Sequence, residues 1–238
     1  MGILPGPGSR RASGLRPMAV LGAVTIGQSP RDDVLPEISG LLPDHVEIIE
    51  RGALDDLGGG QIAGLAPAAG EAALVSRLRD GREVTLAEAA VLPLLQDAVD
   101  RVCGQGAEVV AMLCTGSLRG LRCRVPLLMP GPITRGLVAA LAPGGRLGVI
   151  VPAAGAAGPA LSDWAPLAAE VRAECASPYG DPGSLARAAR ALARWHPDLV
   201  VLDCLGFGRS SQRLARESAG VPVILPRMAL AGALAALL

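Results

Sequence analysis

The sequence predicts an α/β protein whose parallel sheets carry helices on both faces. Three observations predict it. Short runs of Val, Leu and Ile alternate along the chain with segments of helical period. Several runs are apolar on both strand faces, as strands covered from two sides are. Finally, blocks recur in the same order. Leu21-Gly22 matches Leu147-Gly148 at an offset of 126 residues, and Glu108-Val-Val-Ala-Met-Leu-Cys-Thr-Gly116 matches Asp198-Leu-Val-Val-Leu-Asp-Cys-Leu-Gly206 at 90. Val125-Pro-Leu-Leu-Met-Pro130 matches Val221-Pro-Val-Ile-Leu-Pro226 at 96. An ordered series of this kind is the mark of an internal repeat.

Taken in order, residues 19–26 read as the first strand. Gly27-Gln-Ser-Pro-Arg31 is its turn, and Ser29 as N-cap with Pro30 in the first turn predicts a helix to about residue 42, disturbed at Pro36. Residues 46–50 are a second strand, and the glycine-rich stretch 58–70 is a loop. Asp80-Gly81 between residues 74–79 and 82–85 predicts a hairpin. Residues 86–103 keep helical spacing despite Pro93, and 107–113 form the strand ending at Cys114. Next come a strand at 125–129, a helix at 133–141 and a strand at 146–151. The second half closes with a helix at 160–167, an extended segment at 169–174 and a helix at 184–195. It ends with the strand before Cys204, a helix at 210–218, a strand at 221–225 and a helix at 228–238. The change in offset from 126 to 90 gives the first half 36 additional residues, which fall in the region 52–85, a lid or surface insertion.

Composition narrows the chemistry. The chain has 238 residues, 22 basic and 22 acidic, and no basic footprint for nucleic acid. Every basic residue is arginine, which excludes a lysine Schiff base, a lysine nucleophile and a P-loop lysine. With two histidines, His45 and His196, a histidine-rich metal site or a Ser-His-Asp triad has few parts, and no metal or cofactor is expected. Five cysteines without a CxxC are no disulfide framework and predict a reducing cytoplasm. Residues 1–17, rich in Gly, Pro and Arg, read as a disordered tail without signal-peptide features, and Met18 is an alternative start. Pro222, Pro226 and Arg227 interrupt the apolar C-terminal stretch, so a buried strand and helix are expected there and no membrane span.

The chemical signal is the pair Cys114 and Cys204, each at the carboxyl end of a predicted strand, where open α/β sheets place ligands. A thiol has an ordinary pKa of about 8.5, and helices beginning just after each cysteine would lower it. One thiolate could then take a proton from one face of a carbon while the opposing thiol returns one to the other face. The developing anion needs donors. Three turns qualify: Gly27-Gln28-Ser29, Thr115-Gly116-Ser117 and Leu205-Gly206-Phe207, with Thr25 at the end of the first strand. Arg31 could clamp a carboxylate. Asp203, preceding Cys204, points to the opposite sheet face in a regular strand and reads as structural. Cys103, Cys123 and Cys175 carry no pattern that indicates a role.

Val24-Thr-Ile-Gly-Gln-Ser-Pro-Arg31, Leu147-Gly-Val-Ile-Val-Pro152 and Leu202-Asp-Cys-Leu-Gly-Phe207 resemble AroM proteins over nearly the whole chain. These in turn look like distant members of the aspartate/glutamate/hydantoin racemase superfamily. Cys204-Leu-Gly206 is closer to the Cys-Ala-Gly pattern of hydantoin racemases than to glutamate racemases. The resemblance implies two pseudo-symmetric doubly wound domains around a cleft: residues 18–118 with 210–238, and residues 119–209. It also implies Cys114 and Cys204 at the catalytic thiol positions and a homodimer as the usual assembly. The expected function is a cofactor-independent racemase or isomerase, or a lyase, acting on a small carboxylate or carbonyl acid. The alternative is a non-catalytic small-molecule binding or sensing protein on the same fold.

Overall fold

In the computed structural model, which describes residues 19–141 and 144–238, the fold begins with β1 (Ala19–Thr25), whose last five residues are buried. The tail 1–17 and Met18 lie outside the described residues. Beside β1 run β2 (Val46–Gly52), β5 (Val109–Met112) and β6 (Leu127–Leu128), all parallel, in the order β2-β1-β5-β6. A second parallel sheet holds β7 (Arg146–Val151), β8 (Glu170–Cys175), β9 (Leu199–Leu202) and β10 (Val223–Ile224), in the order β10-β9-β7-β8. β3 (Ala73–Arg77) and β4 (Glu83–Ala87) form the expected antiparallel hairpin.

The two sheets share one wiring, down to the register. Leu21 pairs with Val109 in the first and Leu147 with Leu199 in the second, which reproduces the offsets of 126 and 90 read from the sequence. The Val110 amide donates to the Pro126 carbonyl at 2.9 Å, and the Val200 amide to the Pro222 carbonyl at 3.0 Å. Proline cannot donate to a ladder, and each Val-Pro…Pro block is accordingly trimmed to two strand residues. The second proline of each block opens a helix, α4 (Pro130–Leu141) and α8 (Pro226–Leu237), where its missing N–H costs nothing.

Each sheet has two apolar faces. α3 (Glu88–Gly104) covers one face of the first sheet; α1 (Leu35–Ser39) and α8 cover the other. On the second sheet, α6 (Pro182–Ala193) and α7 (Arg209–Ala219) cover one face, and α5 (Ala157–Trp164) and α4 the other. Helix-to-sheet approach is close at Gly22 and at Gly148, 126 residues apart: a Cβ on Gly22 would meet Val102 Cγ2 at 2.8 Å, and one on Gly148 would meet Leu192 Cδ1 at 2.9 Å. The strand pairing cuts across the expected boundaries. β6 lies in the first sheet, although it falls within 119–209. β10 and all of α7 but Arg209 fall within 210–238, yet they build the second. Those boundaries rest on the family resemblance; the apolar pattern identifies a strand but not its neighbour.

Two local expectations fail. The helix predicted from Pro30 begins only at Leu35, because other partners capture its first residues. Asp55 accepts from the Ser29 amide at 2.7 Å and from its hydroxyl at 2.6 Å, and Glu50 accepts from the Arg31 amide at 2.7 Å. Ser29 is therefore no N-cap. Within the glycine-rich stretch, α2 (Gly59–Ala63) forms one helical turn, its entry fixed by the Gln61 side chain accepting from the Gly58 amide at 2.9 Å. The additional residues of the first half supply the β3–β4 hairpin. It reaches the second domain through Glu83, which accepts from the Ser177 hydroxyl, and through Arg77 stacked 5.4 Å from the Tyr179 ring. No helix of the described residues is long and apolar enough to cross a membrane.

Candidate active site

Both sheets direct the carboxyl ends of their strands at one cleft of about 580 Å³. Its lining includes Cys114, just past β5, and Cys204, just past β9, each 8% exposed. Their local geometry repeats. The Gly116 amide donates to Cys114 Sγ at 3.3 Å, and the Gly206 amide donates to Cys204 Sγ at 3.4 Å. Each sulfur thus sits in a tight turn closed by a glycine two residues on. Neither turn starts a helix. An irregular segment runs from Thr115 to β6, and α7 begins only at Arg209. The helix N-termini expected to acidify the thiols are absent, and burial dominates instead. It pushes the Cys114 thiol up to about 12, against the Gly116 amide, with Cys204, Asp203 and Glu88 adding to the rise. Burial likewise pushes Cys204 up to about 11, opposed by the Gly206 amide and by the charges of Arg31 and Arg227.

Burial therefore holds both thiols in the protonated form at neutral pH. This sets the pH dependence of alkylation. Between pH 7 and 10, iodoacetamide modification of Cys204 is expected to speed up about tenfold per pH unit without a plateau. Cys114, raised by the same burial, should follow the same pH slope. Peptide mapping after timed quenching measures both rates; a plateau near pH 7 would show that the burial argument fails.

The cleft takes in Arg31, Thr115, Gly116, Ser117, Leu205 and Gly206 as well as the thiols. Five other expected residues do not line it. Thr25 sits behind it and accepts from Arg31 Nη1 at 2.8 Å. Gly27, Gln28 and Ser29 are docked on the hairpin and on Asp55: the Gln28 amide donates to the Arg77 carbonyl at 3.3 Å. A Cβ on Gly27 would lie 2.3 Å from that same carbonyl. Phe207 is fully buried in the core of the second sheet. Arg31 is committed elsewhere. Its Nε and Nη2 donate to the two Asp33 carboxylate oxygens at 2.8 and 2.9 Å, and Nη2 also donates to the Tyr179 hydroxyl at 3.1 Å. Burial alone would lower its pKa; the Asp33 hydrogen bond, together with the charges of Tyr179, Asp33 and Cys204, raises it instead.

Several lining residues escaped the sequence reading. Asp203 borders the cleft at the end of β9 while keeping to the sheet face opposite Cys204: Cys204 packs with Val200 and Leu202, and Asp203 meets Trp164, which packs with Leu199 and Val201. Trp164 Nε1 donates to Asp203 Oδ2 at 2.9 Å, yet burial still raises this carboxyl above the ordinary range. Tyr179 lines the cleft from the loop after β8; as the only tyrosine in the chain it offered a signal in its rarity alone. Burial, then the neighbouring Cys204, raises its hydroxyl. Arg135 of α4 also lines the cleft and, among the described residues, has no hydrogen-bond or salt-bridge partner. Ser76 of the hairpin is 1% exposed, and its Oγ is the one buried side-chain polar atom without a partner among the described residues. No group of three or more His, Cys, Asp or Glu among the described residues could hold a metal ion.

The arrangement offers two buried thiols, a carboxyl whose pKa burial raises, a free guanidinium and unpaired donors around one small cavity. Solved structures share the architecture. An allantoin racemase from Klebsiella pneumoniae superposes with a TM-score of 0.62 at 15% identity, over 92% of this chain and 87% of that one. A glutamate racemase from Bacillus anthracis gives 0.65 at 14%, over 93% and 82%. Unliganded arylmalonate decarboxylase gives 0.55 at 16%, over 91% and 92%. These likenesses establish the two-domain fold of the aspartate/glutamate racemases. No curated protein matches the sequence. The AroM protein family model matches residues 21–238, and the chain belongs to the AroM family.

Proposed function

We propose that this protein is a cofactor-independent enzyme that moves a proton at the carbon beside a carboxylate, with Cys204 as principal acid/base and Cys114 opposite. The carrying observation is that two thiols in matching turns, on matching strands of two sheets, line one cleft. The substrate carboxylate is received by the turns at Thr115 and Leu205. Neither backbone amide has an acceptor among the described residues, and preorganised N–H groups stabilise an enediolate at no further reorganisation cost. Ser76 and Arg135 complete the anion site in place of Arg31, which Asp33 already neutralises.

Two modes share this machinery. In racemisation, one sulfur as thiolate removes the α-proton and the opposing thiol delivers another from the far face. In decarboxylation, the bond to a departing carboxylate breaks, its electron pair enters the enediolate, and the Cys204 thiol protonates the carbon. The burial that keeps both thiols protonated favours the second mode, which needs only a donor at rest. The test is a panel of amino, hydroxy and α-substituted malonic acids in heavy water, followed by NMR for deuterium at the α-carbon and for loss of carbon dioxide. Exchange or decarboxylation of at least one acid is expected, with KM raised about tenfold or more in Arg135→Leu, as loss of a charge-assisted contact implies. Binding across the panel without either reaction would identify a sensor instead.

A further inference from the structure

Away from the cleft, Cys103 Sγ near the end of α3 lies 3.5 Å from Cys123 Sγ, 20 residues further along. Both are free thiols and both are partly exposed, unlike the pair in the cleft. They join two elements already held in register. Gln96 of α3 donates to the Arg122 carbonyl at 2.9 Å and accepts from the Arg122 amide at 2.8 Å, one residue from Cys123. The segment so tethered begins at Cys114-Thr-Gly-Ser117 and forms one wall of the cleft.

We infer that Cys103 and Cys123 are a thiol–disulfide exchange site that low-molecular-weight disulfides oxidise reversibly, fixing residues 114–123 to α3. The step balances. One protein thiolate attacks a sulfur of the small disulfide and expels the first small thiolate. The second cysteine attacks the resulting mixed disulfide and expels the other. The protein loses two electrons to the small disulfide, and its two thiol protons end on two small thiols. Closing from 3.5 Å to the bond length near 2.05 Å asks for a shift of about 1.5 Å, within reach of side-chain rotation. A tethered mixed disulfide beside a second thiol resolves faster than it accumulates, because the attacking sulfur is already in place.

The test uses the full reduced chain incubated with oxidised glutathione and mapped by mass spectrometry without reduction. A peptide linked between residues 103 and 123 is expected, with a loss of about 2 Da for the pair, reversed by dithiothreitol. Cys175, which is exposed, reports that the oxidant had access. Constraining the unfolded chain should raise Tm on the order of 5 °C. Amide exchange across 114–123 should slow, and Cys103→Ser or Cys123→Ser should stop at a stable glutathione adduct on the remaining cysteine. Glutathionylated Cys175 beside unreacted thiols at 103 and 123 would overturn the inference. So would stable adducts on both members of the wild-type pair. The wild-type map decides the matter even if a serine variant fails to fold.

Discussion

Replacing Cys204 with serine is expected to reduce turnover of whichever panel acid reacts by about 10³-fold, within the usual range for a lost general acid or base. A hydroxyl fits the same turn and keeps the Gly206 contact, so binding should persist while the proton-transfer step fails. Comparison with Cys114→Ser then separates the modes. In racemisation each serine variant loses interconversion, yet each retains wash-in for the one enantiomer whose α-hydrogen meets the surviving sulfur. In decarboxylation only the Cys204 variant collapses, and Cys114→Ser stays within a few-fold of wild type. NMR exchange rates on each enantiomer, with binding followed by calorimetry, measure all of this. Unchanged rates in both variants would remove the thiols from the reaction.

The second large effect concerns stability. Arg227 of α8 is 1% exposed and bonds across three segments. Its Nε donates to the Leu205 carbonyl at 3.0 Å, where Nη2 also donates; its Nη1 donates to the Asp33 carbonyl at 2.9 Å and pairs with Glu37 at 3.3 Å. Arg227→Ala leaves two carbonyls without these donors, removes the partner of Glu37 and opens a void. Breaking buried charged contacts in this way costs about 3–5 kcal/mol. Urea unfolding should show that loss, and Arg227→Lys should recover only part of it, since one ammonium cannot span the same set. A change below about 1 kcal/mol would mean the network contributes little beyond filling space.

The strands and the two cleft cysteines were legible because their signals are local. A buried parallel strand needs an unbroken apolar run, and the blocks matched at offsets of 126 and 90 fall on residues paired within each sheet, Leu21 with Val109 and Leu147 with Leu199. What failed depended on distant partners. Ser29-Pro30 has the chemistry of a helix start, and nothing nearby reveals that Asp55 will take the serine. Arg31 has the chemistry of a carboxylate clamp until Asp33 and Tyr179 fold onto it. Asp203 obeys strand alternation and pairs with Trp164 on the face opposite Cys204, yet its place at the strand end also sets it on the rim of the cleft. Arg135, Ser76 and the contact between Cys103 and Cys123 belong to no motif, and only tertiary packing brings them to notice.

The crossing of α4 and α8 carries a mechanical consequence. Val138 of α4 is buried among residues of the second sheet, while Leu230 and Leu234 of α8 are buried among residues of the first, and the two helices pack on each other. Each lobe is finished by a helix that follows the other lobe's last strand, so neither can be cut free without baring an oily face. The helix pair is in effect a clasp, each lobe holding the other's closing helix.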